Sequence, residues 1–537
     1  MSKTRYIFVT GGVCSGLGKG IVASSIGALL NAYGFRVFSL KFDPYLNIDP
    51  GTMNPYQHGE VYVLKDGTET DLDLGHYERF LDVNLNAQSS LTTGQVYRDV
   101  IEKERKGSFL GKTIQIIPHI TDGIKKRIYS TAESSKADFL IMEIGGTVGD
   151  IEGEPFLESA RQLRQEAGKE NVLFVHVALL PYLKTSRELK TKPAQASVRE
   201  LRRLGIQPEI IILRADTPIK KEHLEKVSLF CNVPFEAVFP AQTSRSIYEV
   251  PLNLESHKIS QIIFSQFGIK PPKANLTSWK TLVRRIKHPT KSVHIAMVGK
   301  YTELGDAYLS VIEALKAAAY FHNGRLKLDW VDAEKIEKND QKEWEILKSA
   351  QGIVIPGGFG SRGVEGKILA AGYARTSKIP YLGLCLGMQI ATIEFARSVL
   401  KLKDANSTEF DAQAKDPVIH IIPEQEKKLL KREYGASMRL GSWACVLEKD
   451  TLSAKAYGEL KIDERHRHRY EFNNSYREQM EAAGLRIAGT TPDKTLVEIV
   501  ELKDHPWFVG VQFHPEFQSR PLRPHPLFRD FIRASLK

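Results

Sequence analysis

Short apolar runs that close on glycine alternate with longer stretches in which apolar residues recur every three or four positions along this 537-residue chain. The first run, YIFVT at residues 6–10, is bounded by a glycine pair, as a strand buried on both faces would be. A glycine-rich loop follows. GLGKGIVASSIGALLNAYG then places Val22, Ile26, Leu29, Leu30 and Tyr33 on one helical face, with Gly34 as its stop. RVFSLKFD, DFLIMEIGG from Asp138, NVLFVHVALL from Asn171 and PEIIILRAD from Pro208 read as further strands, and PFLESARQLRQEAG carries the helical period between two of them. Strands separated by helices predict βαβ units in a parallel sheet wound on both faces.

The texture changes at GIKPPKANLTSW and the basic stretch ending in KHPTKS, a linker with room for one short helix. A second α/β pattern follows. VHIAMVGKY, KLDWVD and GIVIPGGFG are strand-like, SVIEALKAAAYF is helical, and IPYLGLCLGMQIATIEFA reads as strand, tight turn and helix. The sequence therefore predicts an α/β protein of two doubly wound parallel-sheet lobes, residues 1–268 and 293–537, joined by a linker at 269–292.

Composition narrows the class. Hydrophobic residues at 42% and charged residues at 26% exclude wholesale disorder. The formal charge of +11 suits nucleic acid, an anionic membrane surface or polyanionic small molecules. The basic residues are spread, with neither an RRM-like nor a helix-turn-helix signature, which argues against nucleic acid. No stretch approaches the ~18 apolar residues that span a bilayer, and the N-terminus lacks a signal-peptide pattern. Cys14, Cys231, Cys385 and Cys445 are too widely spaced for a zinc pair or a disulfide framework. A cytoplasmic protein without membrane association is expected.

GGVCSGLGKG, residues 11–20, joins the first strand to the first helix. Glycines let backbone N–H groups face a phosphate, the helix N-terminus adds positive potential, and Lys19 adds a charge. The pattern departs from GxxxxGK[ST]: Val13 stands at the first glycine and Gly20 at the hydroxyl that would hold magnesium. Magnesium must therefore find its oxygens elsewhere, and Asp71, Asp73 and Glu143 are the candidates. Lys190 and Lys192, before Pro193, are expected in extended backbone with both amines free to reach phosphates.

GLCLG, residues 383–387, has the form of a nucleophile elbow with Cys385 in place of serine. At a helix N-terminus a thiolate is favoured. WFVGVQFHPEF reads as a strand ending in His514, the base, with Glu516 two residues on to orient it. The N–H groups of Gly358 and Leu386 would serve as oxyanion donors. Cys231 and Cys445 read as core cysteines.

These strings resemble a known family. HPE with GLCLG and PGGFG is the pattern of class I glutamine amidotransferase domains, and GGVCSGLGKG, KFDPYLNIDPGTMNPYQHGEVYV, ETDLDLGHYERF, MEIGGTVGDIEGEPF and KTKPAQ are similar to the CTP synthase family. The resemblance runs through nearly the whole chain. It implies a P-loop-type amidoligase lobe and a class I glutamine amidotransferase lobe. ATP would phosphorylate UTP, and ammonia from glutamine would displace the phosphate to give CTP, ending pyrimidine ribonucleotide synthesis.

Position by position, the resemblance implies ATP contacts at Gly16, Leu17, Gly18, Lys19, Gly20, Ile21, Asp73 and Ser244, with Mg²⁺ at Asp73 and Glu143. The family usually has serine at Gly16, and KDVDSIY where this chain has QTSRSIY from Gln242. UTP or CTP would meet Ser15, Asp150, Ile151, Glu152, Lys190, Thr191, Lys192, Pro193, Ala194, Gln195 and Lys226. Glutamine would meet Gly358, Leu386, Gly387, Met388, Gln389, Glu409 and Arg469. Also implied are a homotetramer, feedback inhibition by CTP and activation by GTP, for which His58 and Arg362 are the candidate contacts.

Overall fold

The computed structural model describes residues 4–51, 53, 59–300, 305–421 and 438–537. It comprises two compact units that are not contiguous in sequence, residues 1–50 with 73–283 and residues 51–72 with 284–537. The sequence division differs from this chiefly at residues 51–72, which belong to the second unit. There Tyr62–Val63 pairs antiparallel with Glu69–Thr70. Tyr62, Val63 and Leu64 are fully buried, and the Tyr62 hydroxyl donates to the Phe517 carbonyl at 2.8 Å. So short an apolar run fits any core, and nothing local in the sequence says which. The stretch read as a linker carries the helix Thr277–Lys287.

In the first unit β1 (Arg5–Gly12), β2 (Val37–Asp43), β3 (Ser90–Thr92), β4 (Phe139–Ile144), β5 (Val172–Leu179), β6 (Ile210–Ala215) and β7 (Val238–Gln242) form one sheet. The order is β7-β6-β5-β1-β4-β2-β3, parallel at every pairing. Because β4 lies between β1 and β2, Glu143 sits opposite Val9 on one side and Lys41 on the other. The chain leaves β1 in one direction and later crosses back to β5, which opens the crevice beyond the carboxyl ends where ligands of such sheets bind. Helix α1 (Lys19–Ala32) is buried from Lys19 to Leu30 apart from Ile21, more than the single face read from the sequence. Helices α2 (Asp73–Leu81) and Val250–Ser256 also pack against it. On another face of the sheet Phe8 stacks on Phe174 and Phe42 on Phe156.

The second unit holds β8 (Lys291–Gly299), β9 (Gly324–Asp332), β10 (Gly352–Ile355), β11 (Tyr381–Leu384), β12 (Arg439–Leu447), β13 (Lys461–His468), β14 (Leu485–Thr490), β15 (Val497–Leu502) and β16 (Phe508–Val511). Their order is β9-β8-β10-β11-β16-β15-β14-β12-β13. The first five strands are parallel, as the βαβ pattern predicts. From β16 onward the pairings are antiparallel. β14, β15 and β16 follow one another through links too short for a crossover helix. Alternate residues of one strand serve opposite cores: Ile353 and Ile355 join one apolar cluster, Val354 the other.

Candidate functional site

Between the end of β11 at Leu384 and the start of α3 (Leu386–Ser398), Cys385 makes the turn alone, with φ +50° and ψ −99°. A residue with a side chain adopts positive φ at a cost, and such strain gathers at functional turns. Two glycines permit it. A Cβ on Gly383 would lie 2.6 Å from the Gly387 carbonyl, and one on Gly387 would lie 2.2 Å from the Ile355 oxygen. The Cys385 amide donates to the Val511 carbonyl at 2.7 Å, tying the elbow to β16. The sulfur thus stands at the helix N-terminus, where the first amides have no partner within the helix.

His514 is not the end of the strand that the sequence suggests. β16 stops at Val511, and His514 instead caps the 3₁₀ turn Pro515–Gln518. The turn folds Glu516 back, so His514 Nδ1 donates to Glu516 Oε1 at 2.7 Å. Burial opposes a charged imidazole, but the charges of Glu516 and Cys385 outweigh it and carry His514 up to about 10. Nε2 of His514 has no hydrogen-bond partner among the described residues. His514, Glu516 and Cys385 border one cavity of about 320 Å³ with Gly357, Gly358, Phe359, Arg467 and Arg469. A Cβ on Gly357 would sit 2.7 Å from His514 Cε1 and 3.6 Å from Cys385 Cβ, so this glycine keeps the space beside base and sulfur open.

Of the residues expected to meet glutamine, Gly358 and Arg469 border this cavity, and a Cβ on Gly358 would lie 3.6 Å from Leu386 Cδ2. Gly387 is the elbow glycine and Met388 is fully buried. Glu409 accepts the Gly360 N–H at 2.9 Å, and burial pushes its carboxyl up. Gln389 is turned away from the cavity lining: its Nε2 donates to the Tyr470 carbonyl at 3.0 Å and to Gln512 Oε1 at 3.3 Å. Arg467 and Gln512 escaped the sequence reading. In RHRHRY the alternation of a strand was the available signal, since His466 Nδ1 and His468 Nε2 meet at 3.0 Å while Arg467 and Arg469 border the cavity.

In the first unit the phosphate loop runs from β1 to α1 with positive φ at Val13, Gly16 and Gly18. Leu17 is buried, and Ser15 and Gly16 are exposed. Lys19 is buried, its Nζ donates to the Gly146 carbonyl at 2.5 Å, and burial draws its pKa down while Glu143 counters. The missing hydroxyl has a steric explanation. A Cβ on Gly20 would lie 2.7 Å from Asp73 Oδ1 and 3.1 Å from Glu143 Oε2, so the two carboxylates occupy the place of a serine side chain. Lys41 pairs with Asp73 and lies 3.5 Å from Asp43 and 3.7 Å from Glu143, and the Tyr77 hydroxyl donates to Glu143. Burial raises the Glu143 carboxyl, whereas at Asp73 burial is outweighed by Lys41, His76 and Lys19 together, which lower it. Two carboxylates beside a phosphate loop fit a magnesium ion that takes its other oxygens from phosphate and water. Among the described residues no group of three or more His, Cys, Asp or Glu forms a metal cage by itself.

Beside the loop a cavity of about 600 Å³ is bordered by Gly18, Ile21, Arg214 and Ser244. Arg214, another residue the sequence did not single out, donates to the Leu17 carbonyl at 3.1 Å and the Ala241 carbonyl at 2.8 Å. Asp150, Ile151 and Glu152 follow a segment pinned to the loop by Val148 N–H donating to the Gly11 carbonyl at 2.8 Å. Lys192 is not extended but opens the helix Lys192–Arg203, because Pro193 falls in the first turn, where a missing N–H costs nothing. Its Nζ lies 5.3 Å over the Phe230 ring, Lys190 pairs with Glu188, and Gln195 Nε2 donates to buried Thr191 at 3.1 Å. Ala194 is buried and Lys226 is exposed. Arg362 pairs with Glu334 at 2.6 Å, and His58 lies outside the described residues. Cys14, Cys231, Cys385 and Cys445 are free thiols, Cys14 alone exposed. Among the described residues no helix is long and apolar enough to cross a membrane.

A thiol elbow with a histidine–glutamate pair in one α/β unit, and a phosphate loop in the other, fit a glutamine-using ligase. Residues 5–269 match the family model of the CTP synthase N-terminus, and residues 303–534 match glutamine amidotransferase class-I. A CTP synthase of Caldanaerobacter subterraneus subsp. tengcongensis is 56% identical over 532 residues, 99% of this chain and 98% of its own. One from Listeria monocytogenes serotype 4b is 53% identical over 533 residues, 99% of each. Among solved structures, the Trypanosoma brucei CTPS glutaminase domain with bound acivicin is 41% identical, covering 45% of this chain and 93% of that one at a TM-score of 0.43. The chain belongs to the CTP synthase family.

Proposed function

We propose that this enzyme makes CTP from UTP by two reactions, glutamine hydrolysis in the second unit and ATP-driven amination in the first. Cys385 attacks the side-chain amide of glutamine. His514 takes the thiol proton and delivers a proton to the departing ammonia, and Glu516 holds the imidazolium. The N–H groups of Gly358 and Leu386 receive the charge that builds on the carbonyl oxygen. Arg469 meets the substrate carboxylate and Glu409 its ammonium group. Water then releases glutamate and restores the thiol. Arg469 and Gly358 on the cavity wall, with Cys385 and His514, support these roles.

In the first unit ATP, the co-substrate, phosphorylates the 4-oxygen of UTP, because a carbonyl oxygen on the pyrimidine is a poor leaving group until it carries phosphate. Ammonia adds at that carbon and phosphate leaves. Lys19 and the loop amides hold the transferred phosphate, while Ile21, Arg214 and Ser244 wall the space for the adenosine. Asp73 and Glu143 would hold Mg²⁺, which when bound neutralises phosphate charge. Asp150, Lys190, Lys192, Gln195 and Lys226 are assigned to UTP, and to CTP as inhibitor. GTP activation, a homotetramer and a cytoplasmic location complete the proposal by family resemblance.

The observation that carries the reading is the pair of carboxylates standing over Gly20, where a phosphate loop ordinarily places its metal-binding hydroxyl. Its test divides the reactions. Cys385→Ala should abolish CTP formation from glutamine, followed by the absorbance change from uracil to cytosine, yet leave synthesis from added ammonium salts largely intact. Loss of both activities in a folded protein refutes the division.

A further inference from the structure

Besides the histidine, the Cys385 sulfur has two polar neighbours: the Arg467 carbonyl, which accepts from the thiol at 3.9 Å, and a side-chain donor, Gln512. Gln512, one residue beyond β16 and 1% exposed, donates its Nε2 to Cys385 Sγ at 3.6 Å. Which end of its carboxamide faces the sulfur is fixed from the far side. The Tyr470 carbonyl can only accept, so Gln389, 3% exposed, must present its nitrogen there. The same nitrogen donates to Gln512 Oε1 at 3.3 Å. With its oxygen engaged, the Gln512 carboxamide has only its N–H groups left for the sulfur. Its backbone is also held, the amide donating to the Glu498 carbonyl at 2.9 Å. A donor in a dry site stabilises a thiolate over a thiol. Glutamine has no basic nitrogen, so it cannot take the thiol proton, and that task stays with His514.

We propose that Gln512 is an auxiliary donor that aims the Cys385 sulfur and stabilises the charge it carries when the thiol gives up its proton, and that Gln389 is a positioning residue that sets the polarity of the Gln512 carboxamide. The proposal rests on the reading of Cys385 as the nucleophile.

The test is alkylation of the full chain by iodoacetamide without substrates, followed across pH by mass spectrometry of the Cys385 peptide. Exposed Cys14 is the internal reference. Gln512→Met keeps the size and removes the donor. It should move the pH of half-maximal Cys385 labelling upward by about one unit, the order expected for loss of one hydrogen bond to a charged group. Gln389→Met should move it the same way by less, since the released carboxamide can turn its oxygen to the sulfur, and it carries the test if Gln512→Met does not fold. A purely structural role lowers the melting temperature and leaves the Cys385 profile in place. An unmoved profile in a folded variant overturns the proposal. Retention of glutamine hydrolysis by Cys385→Ala is a separate failure, that of the nucleophile reading, and leaves the labelling result to judge Gln512.

Discussion

Gly20→Ser restores the hydroxyl that phosphate loops commonly carry, and it should nonetheless cripple synthesis. The new Cβ falls 2.7 Å from Asp73 Oδ1 and 3.1 Å from Glu143 Oε2, and contacts under 3.0 Å force movement. Neither carboxylate swings freely: Asp73 pairs with Lys41, and Glu143 accepts the Tyr77 hydroxyl. Displacing them is an overpacking cost of about 1–3 kcal/mol, or roughly 5- to 150-fold at 1.4 kcal/mol per tenfold. If these carboxylates hold the metal of the nucleotide, the cost falls on the nucleotide-bound state. The kcat/KM for MgATP should fall by that factor with glutamine or ammonia as the nitrogen source. Basal glutamine hydrolysis without nucleotides should hold, since the thiol site is built in the other unit. Gly20→Ala supplies the control, carrying the same Cβ without the hydroxyl, and should be impaired alike. Wild-type MgATP dependence in Gly20→Ser refutes the steric argument. Recovery by serine of what alanine loses would show that the hydroxyl can serve as a ligand, which also defeats it.

Two further variants probe the thiol unit. Glu516→Gln leaves the imidazole unsupported, and glutamine hydrolysis should drop about 10³–10⁴-fold, as when a triad carboxylate is neutralised; a loss below tenfold counts against the role. The same variant has a signature in stability. His514 in the folded protein is raised to about 10 from an ordinary 6.5, so the stability of its pairing is whole below about pH 6.5 and is lost as pH rises through about 10. The Tm gap between wild type and Glu516→Gln should be wide at pH 6 and close toward pH 10, and a gap that widens instead reverses the sign. Gly387→Ala drives a Cβ to 2.2 Å from the Ile355 oxygen, a backbone atom that cannot step aside. It should lower stability by roughly 3 kcal/mol or more and abolish glutamine use, checked by thermal denaturation and by glutamate release.

What the sequence yielded and withheld divides on physical grounds. β1, α1 and the elbow are local: an apolar run, a glycine turn and a helix period specify them, and they stand where the pattern places them. The missing hydroxyl pointed to Asp71, Asp73 and Glu143 as replacements, and the structure brings Asp73 and Glu143 to Gly20, a proximity that the string itself did not display. His514 was misplaced on a strand because HPE carries no local sign that Pro515 opens a turn, although the turn is what brings Glu516 to Nδ1. Lys192 was misplaced for the opposite reason: Pro193 was read as holding the chain extended when it was beginning a helix. The membership of residues 51–72 depends on contacts far along the chain, such as Arg465 Nη1 donating to the Val63 carbonyl at 3.0 Å, which no window can display. Gln512 escaped for a related reason. A glutamine in a strand-like string looks like any buried amide until its neighbours across the fold are known.

Both sites use one device to opposite electrostatic ends. In each unit a buried parallel strand stops, glycines shape the turn, and a helix begins with its free amides and positive pole toward the reacting groups. In the first unit the turn ends in Lys19, a second positive charge beside the positive pole, set against the carboxylates of Asp73 and Glu143, and the proposed phosphate would be held on its loop side. In the second the turn residue is Cys385, which sets its own sulfur at the pole of the helix without a ligand. The glycines then decide what else fits. At Gly20 the vacant Cβ position admits two carboxylates, and at Gly357 it leaves room for an imidazole beside the sulfur. The chemistry of each unit is thus set less by its sheet than by the residue at the turn and by what the neighbouring glycines leave space for. On the proposed reading, two α/β lobes built on the same device serve reactions as different as phosphoryl transfer and amide hydrolysis.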